Sequence, residues 1–293
     1  MKLSILIPAY NQSCLKLATD LHRQCNQEGC DFEIIVADDA SIDTKARSDN
    51  KKVESLPCCR ALMSEVNKGR AATRNKLVNE SSGDYLLFVD SDAEVINDDF
   101  IHRYVAECPT DAVLCGGILH PDVLPSPYVS LRYLYEKSCE PHFTAEQRNH
   151  HPYLCIRSFN FMMPRKVAIQ YPFDEKIRTY GYEDTLMGKA FEIGGVKVRH
   201  IDNPLLNTDI EENAAFLEKT KEAMQTLFQM KEEMRGYSSL LTVYSRLSKL
   251  HLISFVSVAF RITRNMIERN LLGEKPSVRL LQFYKLGYYT QLT

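Results

Sequence analysis

Three short apolar runs dominate the first part of the chain: LSILIP at 3–8, FEIIVA at 32–37 and DYLLFV at 84–89. Each stops at polar or acidic residues, respectively Tyr10-Asn11, Asp38-Asp39 and Asp90-Ser91-Asp92. Unalternated apolar runs of this length fit strands buried on both faces. Further strands are expected near Arg60–Ser64, at 112–118 and at 196–201. Helical patterns lie between them, near Leu15 to Cys25, at 69–79, from Asp98 to Glu107 with Asn97 or Asp98 as cap, around Val129–Lys137, and at 211–234 with Gly236 closing it. Apolar strands alternating with helices predict an α/β chain with a mostly parallel sheet flanked by helices. Such sheets bind ligands outside the carboxyl ends of their strands, where the acidic residues fall.

The 293 residues suffice for one large domain and an appendage. The expected division is 1–235 for the α/β domain and 236–293 for a basic, amphipathic helical extension. A formal net charge of −2 argues against a nucleic-acid partner. The charge is unevenly spread, because Arg235–Thr293 carries nine Lys/Arg against two Asp/Glu. That balance fits contact with an anionic membrane surface through 237–293, and equally a solvated face on ordinary helices. The most apolar stretch of the tail, Leu250–Ile262, is broken by His251, Ser254, Ser257 and Arg261. A spanning helix needs about 20 mostly apolar residues, so none is expected. Nine cysteines without a CxxC, and no leader before the first strand, fit free thiols in a reducing cytoplasm. Prolines at 121, 125, 127, 141 and 152 mark 120–160 as loop-rich, a candidate acceptor-side wall.

Four constellations carry chemistry. Asp90 and Asp92 follow a buried strand at i and i+2, where both can converge on a hard divalent cation that also holds substrate phosphates. Asp38 and Asp39 can accept hydrogen bonds from a base or ribose, and Asp-Asp-Ala-Ser is also good turn chemistry. In Asn67-Lys68-Gly69-Arg70-Ala71-Ala72-Thr73-Arg74-Asn75, a glycine precedes a helix whose start favours anions, with Arg70 and Arg74 on one face. Glu183-Asp184, after Gly181-Tyr182, can supply a base for a hydroxyl or simply open a helix. His150-His151 reads as a surface feature, since adjacent side chains rarely face one ligand.

SILIPAYN (4–11), IIVADDAS (34–41), NKGRAATRN (67–75), DYLLFVDSDAEV (84–95) and FDEKIRTYGYEDTLMGKAFEIGG (173–195) occur in that order. Together they resemble the family 2 glycosyltransferases over about the first 230 residues. The resemblance implies the GT-A fold, a UDP- or GDP-sugar donor, Mn²⁺ or Mg²⁺, and a glycan or glycolipid acceptor. It places Pro8, Ala9, Tyr10, Asn11, Asp38, Asp39, Asn67, Arg74 and Asp90 at the nucleotide. It gives Asp90 and Asp92 to the metal, with Asp92 the direct ligand. Asp184 becomes the catalytic base, Glu183 an acceptor-holding carboxylate, and Asn160, Phe161 and Tyr182 its neighbours at the acceptor. The chain departs from the pattern at one point. Many relatives complete the metal site with a histidine past the last strand, where this sequence reads Asn203-Pro204-Leu205-Leu206-Asn207. Asn207 is the expected substitute, and His200 is expected to be structural.

The resemblance implies an inverting single displacement in surface polysaccharide or glycolipid assembly, by a cytoplasmic protein at the inner membrane face. Two rivals remain. A nucleotidyltransferase would carry a glycine- and arginine-rich signature where this chain has PAYNQ. A catalytically impaired nucleotide-sugar binding module is favoured by the missing histidine and opposed by Asp90, Asp92 and Asp184.

Overall fold

A computed structural model describes residues 1–124, 126–176, 181–209 and 211–292. Residues 177–180 of the last sequence motif and Pro125 of the loop-rich segment lie outside the described residues. The strands are β1 (Lys2–Ala9), β2 (Asp31–Asp38), β3 (Cys59–Met63), β4 (Tyr85–Val89), β5 (Ala93–Glu94), β6 (Val113–Cys115), β7 (Ile118–Leu119), β8 (Asn160–Pro164), β9 (Val198–His200) and β10 (Leu205–Asn207). The α-helices are α1 (Leu15–Glu28), α2 (Thr44–Lys52), α3 (Arg70–Glu80), α4 (Phe100–Val105), α5 (Ser130–Cys139), α6 (Ala145–His150), α7 (Arg165–Gln170), α8 (Glu183–Ile193), α9 (Asn213–Gln229), α10 (Ser239–Lys249), α11 (Ile253–Leu272) and α12 (Val278–Thr290).

The chain packs as two units. The first holds Met1–Leu119, Phe143–Arg178 and Met187–Asp209; the second holds His120–His142, Thr179–Leu186 and Ile210–Thr293. In the first, seven strands form a sheet in the order β3-β2-β1-β4-β8-β6-β9, and β5-β10-β7 form a small second sheet. The main sheet is parallel except for β8, which runs antiparallel to both β4 and β6. The period-two alternation of strands sorts each apolar run onto two faces. Ile5, Ile7, Ile34, Val36, Leu87 and Val89 pack with Leu17 and Leu21 of α1 and Phe100 and Tyr104 of α4. Leu6, Ile35, Ala37, Leu86 and Phe88 pack with Leu77 of α3, Val167 of α7 and Phe191 of α8. Since β1 lies between β2 and β4 and parallel to both, the three polar strand ends share one edge.

The structure adjusts several boundaries. The strand expected at 112–118 is two, because Gly116 and Gly117 break it. Gly116 backs onto the Asn203 carbonyl with no room for a side chain, and Gly117 has φ +102°. The cap of α4 is Asp99, not Asn97 or Asp98, and it makes no side-chain capping bond. The helix expected to reach 234 ends at Gln229.

The second unit is helical. Leu131 of α5, Phe216 and Leu217 of α9, Phe260, Ile267 and Leu271 of α11, and Leu281 and Tyr284 of α12 form one cluster. Met224, Leu227, Met234 and Tyr289 form another, against which Tyr182, Leu241 and Tyr244 pack. Asn213 is buried, accepts from the Leu131 N–H at 2.7 Å and donates to the Gly273 carbonyl at 2.9 Å. No described helix is long and apolar enough to cross a membrane.

Candidate active site

The site is built on the carboxyl edge of the first unit's sheet. At the end of β2, Asp38 is fully buried. It accepts from the Ser41 N–H (2.8 Å), Asn50 Nδ2 (2.9 Å) and Arg47 Nη1 (3.3 Å). Asn50 also donates to the Gln12 carbonyl and accepts from the Cys14 N–H, so it ties the end of β1 to the end of β2. Asp39 is buried as well, and its carboxylate takes the N–H groups of Lys68 (3.0 Å) and Gly69 (2.8 Å). Between this carboxylate and Ser41, Ala40 is held at φ +62°, a left-handed conformation that costs a residue with a Cβ about 1 kcal/mol. Asn11, also left-handed at φ +54°, accepts from the N–H groups of Ile42 (2.8 Å) and Asp43 (3.1 Å).

These bonds revise the expected roles. Asp38, Asp39 and Asn11 direct their polar atoms into the loops themselves. A buried carboxylate without such donors would be expensive, which is why three of them surround Asp38. The Gly69 N–H, expected to meet a phosphate, is taken by Asp39 and also lies 3.1 Å from Asn67 Oδ1. What this edge presents outward is the Tyr10 ring, 47% exposed, with exposed Asn67 and Arg70 at the start of α3. Pro8 is half-buried and Ala9 buried. Arg47 and Asn50, which the sequence reading passed over, lie on α2, a helix with no apolar stripe to mark it.

The end of β4 is different. Asp90 and Asp92 are both half-buried. Arg74 is 2% exposed, so it does not reach outward from α3 as expected. It instead donates to Asp90 Oδ1 at 2.6 Å and lies 5.5 Å from the Phe173 ring centre. Such a short charge-assisted bond fixes the carboxylate it touches. Its neighbour Asn75 clamps Phe173, accepting from its N–H at 2.9 Å and donating to its carbonyl at 3.0 Å. On the other side, Asn207 pairs with Ala93, and Thr208 gives both its N–H (2.9 Å) and Oγ1 (2.8 Å) to the Asp92 carbonyl. Asn207 is buried, and its Oδ1 accepts from the Asp209 N–H at 2.8 Å. The segment expected to complete the metal site therefore does lie beside Asp92. It also carries Asp209, an exposed carboxylate the sequence reading did not single out.

No group of three or more His, Cys, Asp or Glu is placed to hold a metal ion among the described residues. Two carboxylates at a strand end nevertheless fit a hard divalent cation that takes its remaining oxygens from water and a diphosphate. Cys14 is fully buried beside Asp38 and Asp92; burial first, then both carboxylates, push its thiol far above the usual range.

Asn160 and Phe161 depart from expectation. Asn160 is buried, donates to the carbonyls of Asn203 (2.8 Å) and Gly117 (3.0 Å), and accepts from the Tyr104 hydroxyl (2.8 Å). Phe161 is fully buried and stacks on Phe88 at 4.8 Å between centres. Their side chains join β8 to its neighbours. His200 is structural, as expected. Its Nε2 donates to the Pro152 carbonyl at 2.9 Å while Nδ1 faces Arg148 Nη1 at 3.2 Å, an arrangement that assigns a neutral ring.

Tyr182, Glu183 and the helix start that bears Asp184 belong to the second unit. Gly181 (φ +102°) and Tyr182 (φ +69°) are both left-handed, and for a bulky aromatic that backbone is strained. Tyr182 is held in it by the second apolar cluster and a hydrogen bond with Ser238. Burial raises its phenol well above the usual value. Glu183 and Asp184 form the first turn of α8, where the helix dipole favours negative charge. Further along, Gly188 lies against the Tyr153 carbonyl with no room for a Cβ.

The family model described as "Glycosyl transferase family 2" matches residues 4–171. Over 97 residues the chain is 31% identical to the GalNAc(5)-diNAcBac-PP-undecaprenol beta-1,3-glucosyltransferase of Campylobacter jejuni, covering 33% of this chain and 31% of that protein. It spans roughly a sixth to two-fifths of the length of the curated relatives it matches. Among solved structures, the mannosyltransferase PcManGT from Pyrobaculum calidifontis, in complex with GDP-Man and Mn²⁺, superposes with a TM-score of 0.60 at 12% identity, covering 99% of this chain and 84% of that one. Residues 1–349 of TarS from S. aureus, in complex with UDP-GlcNAc, give 0.50 at 17% identity, covering 99% and 90%. The likeness shows the fold, which is GT-A as the resemblance implied.

Proposed function

Because the chain belongs to glycosyl transferase family 2, we propose that it moves a hexosyl or N-acetylhexosaminyl group from a UDP- or GDP-sugar to an acceptor hydroxyl, with inversion. The observation that carries this reading is the half-buried Asp90-Ser91-Asp92 turn, held by Arg74 on one side and Thr208 on the other. Tyr10 offers the base a flat apolar face. Asp39 and Asp38 hold the loops that shape the nucleotide side. Asp90 and Asp92 would hold Mn²⁺ or Mg²⁺, which when bound offsets charge gathering on the leaving diphosphate. Arg74 contributes by orienting Asp90. Asp184 accepts the proton of the attacking hydroxyl, and Glu183 orients the acceptor. The transferase domain at 1–235 and the basic extension at 236–293 are a division by function; in packing, α5 and α9 cluster with α11 and α12. The acceptor is a glycan or a glycolipid, and a lipid-carried one would put the protein at the inner membrane face. The name of the Campylobacter relative, which acts on an undecaprenol-linked glycan, supports that choice.

The test is a panel of nucleotide sugars, each measured for thermal shift and for transfer or hydrolysis, with and without Mn²⁺. The true donor should raise the unfolding midpoint, more so with the cation. In Asp184→Asn, donor binding should persist while turnover falls ~100-fold or more. Unchanged turnover in that variant removes Asp184 from the mechanism. Donor binding with no transfer or hydrolysis under any of these conditions would overturn this reading.

A further inference from the structure

Helix α11 is apolar on two opposite faces. Phe260, Ile267 and Leu271 are fully buried and pack into the helical cluster of the second unit. On the other side Phe255, Val258, Ile262 and Met266 stand 73%, 46%, 77% and 64% exposed. At 3.6 residues per turn these four fall within an arc of roughly 80°, nearly opposite the buried three. Leu250 and Leu252, 66% and 42% exposed, extend the stripe into the turn before the helix. A surface helix in water normally keeps its outer face polar, and a contiguous exposed stripe of this kind marks a contact surface.

The charges around the stripe identify what it meets. Residues 236–267 carry Arg246, Lys249, Arg261 and Arg264 and no Asp or Glu. Arg246, Lys249 and Arg261 are exposed, and Arg264 pairs with Glu268. In a twofold dimer across this stripe the exposed Arg246, Lys249 and Arg261 would face one another, while Glu268, the one carboxylate of α11, is already paired with Arg264. Anionic lipid headgroups above apolar chains match both parts of the pattern, and α11 cannot cross the bilayer. We infer that α11, with the 250–252 turn and the end of α10, is a membrane-docking surface that lies in the headgroup region of an anionic bilayer, with Phe255, Ile262 and Met266 directed into it. This deepens the reading of a lipid-carried acceptor, and it rests on that reading only for its purpose. Vesicle binding is measured without donor or acceptor, so either can fail alone.

The chain contains no tryptophan, which allows a clean probe. Phe255→Trp should emit further to the blue on vesicles of phosphatidylglycerol and phosphatidylcholine in equal parts. Phosphatidylcholine alone, or ~1 M salt, should weaken that binding by about 10-fold. Ile193→Trp, at an exposed apolar site outside this helix, should show no shift. The double variant Phe255→Ser/Ile262→Ser should keep its helical circular dichroism and lose vesicle co-sedimentation by about 10-fold or more. Three results would overturn the assignment: an unshifted Phe255→Trp on anionic vesicles, co-sedimentation unchanged in the double variant, or a lipid-free dimer that the double variant dissolves.

Discussion

The ends of β2 and β4 carry the same kind of side chain in opposite circumstances. At β2, Asp38 and Asp39 are buried, and the protein itself supplies their donors from Ser41, Asn50, Arg47, Lys68 and Gly69. At β4, Asp90 and Asp92 are half-buried; Arg74 holds one Asp90 oxygen and Thr208 holds the Asp92 backbone. The first pair is buried and organises loops, and the second reaches the surface of the strand end. An acidic doublet after an apolar strand is therefore ambiguous until its donors are known.

Substitutions at the two ends should separate activity from stability. Asp92→Asn should lower transfer by ~100-fold, comparable to losing one group that stabilises developing charge, while the unfolding midpoint stays within about 2 °C. A large fall in the midpoint would instead make Asp92 a structural residue like Asp38. Asp38→Ala should do the reverse of Asp92→Asn. It strips three donors of their buried acceptor and should lower the unfolding free energy by about 3 kcal/mol in a denaturant titration. If Asp38→Ala left stability intact and abolished donor binding, the contrast between the strand ends would be lost.

His200 extends the contrast to a group that titrates near neutrality. Burial lowers its pKa from 6.5 to about 4; the Pro152 carbonyl bond opposes the shift and Arg148 adds to it. Below pH 6.5 the unfolded chain takes up a proton that the folded chain refuses until about pH 4. Stability from this residue is thus present above pH 6.5 and lost as the pH falls to about 4, by roughly 3 kcal/mol. In His200→Gln, stability measured across that window should lose this slope. The smallest effect belongs to Ala40. Ala40→Gly relieves a left-handed backbone and should stabilise by up to about 1 kcal/mol, with donor binding unchanged. Destabilisation there would mean that the Ala40 side chain itself holds the β2 loop.

The middle of the sheet was legible because β1, β2 and β4 are buried on both faces and read as nearly unbroken apolar runs. Helix α2 was not, because TKARSDNKK has no apolar period. It is held by Asp43, whose side chain accepts from the Ala46 N–H, and by ion pairs of Lys45 and Lys52 with Asp49. Strand β8, NFMMP, gave neither alternation nor length to set it apart from the loop-rich segment before it. Strands β5 and β10 have two and three residues, too few for any period, yet they bring Asn207 beside Asp92. For the site, order and spacing pointed to the right edge of the sheet. What they could not show was how many of its polar atoms the fold would use. Arg74 looked like a surface cation and is one of the most buried side chains. Asn160 looked like a ligand contact and is a brace between backbone carbonyls.

The contact between Gly188 and the Tyr153 carbonyl makes α8 sensitive far from its carboxylates. A methyl group at 188 has nowhere to go, so the helix must shift bodily. Asp184 sits one turn back on the same rod and would be displaced with it. A single added carbon, touching neither sugar nor metal, could thus silence the proposed base as thoroughly as removing its charge.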